Sequence, residues 1–187
     1  MTRFVPWLIA LGLFAVAGVV VALEPGEQTS QGPFVTEVAL DEHGLGRNIE
    51  ATIRDVRLAD VVDLDTLDGW HGTTEGVWVV AEVTAASRLE NQGLTSFLLI
   101  GDLKFTGSER MEYDGLESAI LSPGIPTTGT VLFEIPRELA ETTTSARVMI
   151  GLNRDWRLDS VIGTTVDLSA LTVEPEITVS ANAKVAP

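Results

Sequence analysis

The sequence predicts an all-β protein: an antiparallel β-sandwich preceded by one N-terminal transmembrane helix. Three observations carry this. A run of twenty uncharged, mostly apolar residues lies near the N-terminus. Beyond it the apolar residues recur with period two, the spacing of a strand with one buried face. Turn-forming residues cut that pattern into six or seven short runs, as in a sandwich of two sheets. At 187 residues the chain has room for one domain with accessory segments: an anchor over 1–23, a linker over 24–33, the sandwich over 34–179 and a disordered tail over 180–187.

The anchor reads FVPWLIALGLFAVAGVVVAL over residues 4–23. As a helix it would extend about 30 Å, the thickness of a hydrocarbon core. Pro6 falls in the first turn, where a missing N–H costs little, and Trp7 falls at interfacial depth. Arg3 precedes the run and Glu24, Glu27 and Glu37 follow it. Positive flanks stay in the cytoplasm, so the domain is expected outside it. A cleaved signal peptide is the alternative reading, because Ala15-Val16-Ala17 and Val20-Val21-Ala22 both fit a small-x-small site; the length of the apolar run favours a retained anchor. Gly18 and Ala22 form a small-xxx-small pair suited to packing against a second helix.

After a Gly- and Pro-punctuated linker the strands begin. Ile49, Ala51 and Ile53 alternate with polar neighbours, and Val56 and Leu58 resume after a one-residue slip at Asp55 that suggests a bulge. Residues 77–84 (VWVVAEVT) form a β-branched run. Residues 97–105 are broken by Gly101-Asp102, and 130–135 end at Pro136. Further strands are expected over 146–152, 161–168 and 171–179, the last interrupted by Pro175. Only 137–141 (RELAE) reads as helical, for a single turn.

The stretches GVWVVAEVTAASRLE, SFLLIGD, LSPGIPTTGTVLFEIPREL and ARVMIGL resemble a telokin-like family of bacterial extracytoplasmic domains of unknown function, over residues 76–168. The most specific piece is the turn Ser122-Pro123-Gly124 leading into VLFEIP. Two departures are Ala85-Ala86-Ser87, where the family often has Asn, and the lack of an acylated cysteine. The resemblance implies an immunoglobulin-like sandwich and brings no catalytic residue.

Composition removes several function classes. There is no cysteine, which excludes disulfides, thiol catalysis, thiolate zinc sites and lipoprotein acylation. The net charge is −15. All 27 acids lie beyond Leu23, against eleven bases there once Arg3 is set aside from the twelve, a net of −16. That field repels nucleic acid and keeps the domain soluble.

Few residues point to chemistry. His43 and His71 stand alone in turn-like contexts. The acids Asp60, Asp63, Asp65 and Asp68 with Gly69 suggest a weak calcium loop using Asp63, Asp65, Asp68 and Glu75, although the spacing departs from an EF-hand and a solvated acidic loop is the plainer reading. Trp78 reads as sandwich core. In LNRDWRLD, Trp156 lies between Arg154 and Arg157, with Arg147 on the preceding strand, a grouping rich in hot-spot residue types; a core tryptophan with paired arginines is the plainer reading. No cofactor is expected. The leading expectation is a non-catalytic binding or accessory module, tethered to the membrane and touching an envelope protein or wall polymer. The rivals are a calcium-stabilised structural domain and a hydrolase with a carboxylate pair.

Overall fold

The computed structural model describes residues 5–23, 31–66 and 69–184. The chain divides into two units, Met1–Gly32 and Pro33–Pro187.

In the first unit, α1 (Val5–Leu23) is a helix of 19 residues without a charge. Its side chains are described without a break only over 9–19, about 16 Å of helix against a hydrocarbon core of about 30 Å. Among the described residues no helix is long and apolar enough to cross a membrane. Of the expected transmembrane helix, the described residues therefore show the helix and no more.

The second unit is the expected sandwich. Its strands are β1 (Phe34–Glu37), β2 (His43–Leu45), β3 (Ile49–Leu64), β4 (His71–Ser87), β5 (Gln92–Ile100), β6 (Leu103–Thr106), β7 (Ile120–Leu121), β8 (Thr127–Ile135), β9 (Ala146–Leu152), β10 (Ser160–Val166), β11 (Val173–Val179) and β12 (Ala183–Lys184), with a short helix α2 (Arg137–Thr142) between β8 and β9. Sheet 1 has the order β1-β10-β9-β5-β6, with β7 on β5; sheet 2 has the order β11-β3-β4-β8-β12, with β2 on β3.

Alternation places the core between the sheets. Val77, Val79, Ala81, Val83 and Ala85 of β4 face Leu98, Val148, Ile150 and Ile162 of sheet 1, all buried. The slip at Asp55 is a register shift between Ile53 and Asp55. A second shift, between Ala59 and Val61, lies opposite Pro175, which β11 passes between Glu174 and Glu176. An edge strand at a bulge is where a residue without an N–H is tolerated.

Three features differ from the sequence expectation. The sheets are not wholly antiparallel, since β1 runs parallel to β10 and β11 parallel to β3. Ala183 and Lys184 pair with Thr128 and Thr127, so the chain stays in the sheet past Ser180, where a frayed tail was expected. Trp78 is fully buried, but on the outer face of sheet 2 rather than between the sheets. VWVV is apolar on both faces, so alternation alone could not assign Trp78 to either.

Candidate functional site

Residues that alternate away from the core make a second apolar cluster on each outer face. On sheet 2, Trp78 is sealed. Its indole Nε1 donates to the Gly72 carbonyl at 3.1 Å, Trp70 meets it edge-on at 5.9 Å, and the Arg110 guanidinium lies 5.1 Å from its ring. Met111 and Ala181 close over the cluster. Their segments are held by backbone bonds from Ser108 to Leu132 and from Asn182 to Asp114.

On sheet 1 the corresponding cluster is Phe97, Met149 and Val161. Its cover is one side chain from the β9–β10 turn. Trp156 folds back so that its Nε1 donates to the Asn153 carbonyl at 2.9 Å and its ring meets Phe97 edge-on at 4.3 Å. Gly151 makes room, because a Cβ there would lie 2.6 Å from the indole. The Lys104 Nζ stands 3.2 Å from the centre of the Phe97 ring and 5.8 Å from Trp156. Partial burial holds the pKa of that ammonium below its usual value. Trp156 remains half-buried. A half-open aromatic beside a cation leaves apolar area and charge together on the surface of the sheet.

Beside this face lies a cleft of about 420 Å³ lined by residues that include Phe97, Glu109, Glu117 and Arg154. A second, of about 460 Å³, shares Glu109 and Glu117 with it. Glu117 explains itself through the strand edge. β6 covers β5 from Phe97 to Ile100 and β7 covers Gln92 and Gly93, leaving a gap between them. The Glu117 carboxyl fills that gap: Oε1 accepts from the Ser96 backbone N–H at 3.0 Å and from the Ser96 hydroxyl. Burial pushes its pKa up to about 7, against the lowering effect of the Ser96 bonds. A carboxyl that is neutral near pH 7 could act as a general acid. Here the oxygen is committed to the strand edge, and Ser96 is fully buried, so the pair acts as a plug for β5 and not as a nucleophile with its base. No sequence pattern marks Glu117, since the gap it fills depends on where β6 and β7 end.

The structure separates the arginines singled out from sequence. Arg147 bonds Glu37 on the outer face of sheet 1, Arg154 pairs with Glu109 at 3.1 Å, and Arg157 pairs with its neighbour Asp155 at 2.7 Å. Each carries a carboxylate partner, so they do not form one bare basic surface. The described members of the proposed calcium set, Asp63, Asp65 and Glu75, do not gather as a metal site. Asp63 meets His71 at 2.5 Å across the β3–β4 hairpin, Asp68 lies outside the described residues, and Glu75 lies four positions beyond His71 on β4, about 13 Å along a strand. Among the described residues no group of three or more His, Cys, Asp or Glu gathers as a metal site. His71 and His43 each open a strand and are exposed rather than lying in loops. In α1, a Cβ on Gly18 would meet nothing within 4 Å, and the side chain of Ala22 lies outside the described residues.

No family model matches the chain, and no curated protein matches it. The telokin-like resemblance thus gains no support from that quarter. Two solved structures are similar at low identity. One is an uncharacterized beta-sandwich protein from Clostridium difficile 630, with 13% identity, a TM-score of 0.47, and coverage of 72% of this chain and 96% of the other. The second is the yjhA protein from Bacillus subtilis, with 14% identity, a TM-score of 0.45, and coverage of 67% and 98%.

Proposed function

We propose that this chain is a non-catalytic, membrane-tethered binding module that holds another component of the cell envelope against the outer face of sheet 1. The observation that carries this is the half-open Trp156, seated on Phe97 beside Lys104, on a face that no other described segment covers. Aromatic and cationic side chains that are already packed lose little entropy on binding and dominate interface energies.

Two further features support the reading. Residues 4–23 carry no charge, with Arg3 before them and acids after, the pattern of an anchor with its N-terminus in the cytoplasm. The strand connections also suit an immunoglobulin-like domain. β3-β4-β8 lie in one sheet and β5-β9-β10 in the other, and the chain crosses between sheets after β4 and after β8, as in the ABE and CFG sets of that fold. The telokin-like resemblance belongs with this proposal.

The test is site-specific photo-crosslinking in intact cells, with the reactive group at Lys104 and, as a control, at Arg57 on sheet 2. A discrete adduct is expected from position 104 alone, and Trp156→Ala should abolish it. Equal labelling from the two positions, or an adduct that survives Trp156→Ala, would remove this face. Loss of the domain from spheroplasts treated with external protease checks the topology independently.

A further inference from the structure

The indole of Trp156 lies flat on sheet 1, and this decides what it can hold. A Cβ built on Gly151 would stand 2.6 Å from Cε2, 2.6 Å from Nε1 and 3.0 Å from Cζ2 of that ring. The three atoms are consecutive, and at this range a point about equally far from all of them lies above the ring plane, not at its rim. One face of the indole is therefore taken up by the Gly151 backbone, and the Nε1 bond to the Asn153 carbonyl fixes the ring there. The other face points away from the sheet, and the residue is half-buried, as a ring with one covered face is. A flat aromatic face held in advance by the backbone is a stacking platform.

The surroundings of the platform are polar. Thr95 alternates with Phe97 along β5 and Thr106 stands opposite Phe97 on β6, so both lie on the same face of the sheet. Both line the cleft of about 420 Å³ that adjoins Phe97, together with the paired Glu109 and Arg154. Lys104 lies over the Phe97 ring, and among the described residues no carboxylate pairs with its ammonium. Arg154, Asp155 and Arg157, the chain neighbours of Trp156, are exposed. The core of a protein–protein interface is depleted of charge. A lone indole ringed by hydroxyls and charged hydrogen-bonding groups suits a ligand that is itself covered in hydroxyls.

Ammonium groups, nucleobases and sugar rings all stack on an aromatic face. An alkylammonium would meet the Lys104 ammonium, which already stands 5.8 Å from the same ring. A nucleobase brings phosphates, which a chain of net charge −15 repels. A neutral pyranose brings no charge. With its hydroxyls equatorial it has an apolar C–H face, which the negative face of an aromatic ring attracts, and a rim of hydroxyls for Lys104, Glu109 and Arg154. We infer that the component held on sheet 1 is a neutral, β-linked glycan, with one pyranose stacked on the outward face of Trp156 and the next reaching the cleft that Phe97 and Arg154 line. This rests on the binding-face reading and adds the ligand class to it.

The test is calorimetric titration of the full-length protein with three hexamers: β-1,4-linked glucose, β-1,4-linked N-acetylglucosamine, and β-1,4-linked mannuronate as an anionic chain of like size. At least one neutral hexamer should bind saturably, and the mannuronate should not. Trp156→Ala should weaken binding by about tenfold or more, the scale on which stacking on one aromatic ring counts. Gly151→Ala keeps the indole but lifts it from the sheet, and should weaken binding as well; the melting temperature of each variant shows that the domain is still folded. Trp70→Phe, in the cluster on sheet 2, should leave the affinity unchanged. Binding by neither neutral hexamer, or preference for the mannuronate, would overturn the glycan. If the position-104 crosslink still yields a protein adduct that Trp156→Ala abolishes, the binding face stands without the glycan. Hexamer binding that survives both Trp156→Ala and Gly151→Ala would overturn the site, and the absence of both adduct and hexamer binding would remove face and glycan together.

Discussion

The two outer faces of the sandwich carry the same chemical motif in two states. Each has a tryptophan set edge-on to another aromatic ring with a cation beside it: Trp78 with Trp70 and Arg110, Trp156 with Phe97 and Lys104. On sheet 2 the motif is closed by chain from residues 107–115 and 180–182, and Trp78 has no exposed surface. On sheet 1 no described segment crosses the face, and Trp156 is itself the cover. The difference shows that an aromatic–cation cluster does not by itself define either core or interface. What decides is whether the chain has residues left to spend on closing it.

The sealed face should be the costlier one to damage. Trp78→Ala removes a fully buried indole and leaves a cavity that the fixed segments above cannot fill, so denaturant unfolding should show a loss of about 3–5 kcal/mol. A loss under about 1 kcal/mol would mean that the closing segments collapse readily, and the contrast between the faces would fail.

The next effect depends on pH, through the segment that both clefts share. Glu117 holds its proton up to about pH 7 in the folded chain, against an ordinary value of 4.5. The folded state therefore binds that proton more tightly than the unfolded state does. The stabilisation is fully present below pH 4.5, declines as pH rises, and is lost once pH passes 7; the whole change is about 3 kcal/mol. Glu117→Gln, which still accepts from Ser96, should flatten this part of the stability–pH curve and stabilise the protein at pH 8. Parallel curves for the two proteins would show that the carboxyl is not buried as described.

Trp156→Ala comes third. The ring is half open, and its loss exposes Phe97 and Met149 without creating an enclosed void, so unfolding should shift by about 2 kcal/mol at most while crosslinking through position 104 disappears. The smallest effect belongs to the acidic hairpin. Asp63→Ala breaks an exposed pair with His71, and the expected cost is about 0–1 kcal/mol. Millimolar calcium should leave the melting temperature where it was. A calcium shift of several degrees, as saturation of a real site gives, would restore a metal role to that tip.

Much of the fold was legible because alternation is a local signal. The strand 146–152 appears with those limits as β9, the break at Gly101-Asp102 is the β5–β6 turn, and the slip at Asp55 is a bulge. What was missed is non-local. β1, β2, β7 and β12 are two to four residues long and exist as strands only because a partner edge is available. The parallel pairing of β1 with β10 joins residues more than a hundred positions apart. The candidate sites show the same division. Composition flagged Trp156 and its arginines, but only the fold pairs each arginine with its acid. Glu117 sits in GLESAI, a sequence with nothing to mark it, and its perturbed proton comes chiefly from burial at a strand gap.

The four strands that end the sheets have a consequence for crowding. β1 and β6 are four residues each, β12 is two, and β11 is interrupted by Pro175 opposite a bulge. Lys104 adds a charge along β6. Short, charged or proline-bearing borders are poor templates for another copy's backbone. Copies gathered at high density are therefore expected to lie side by side without knitting into a continuous ribbon through these borders.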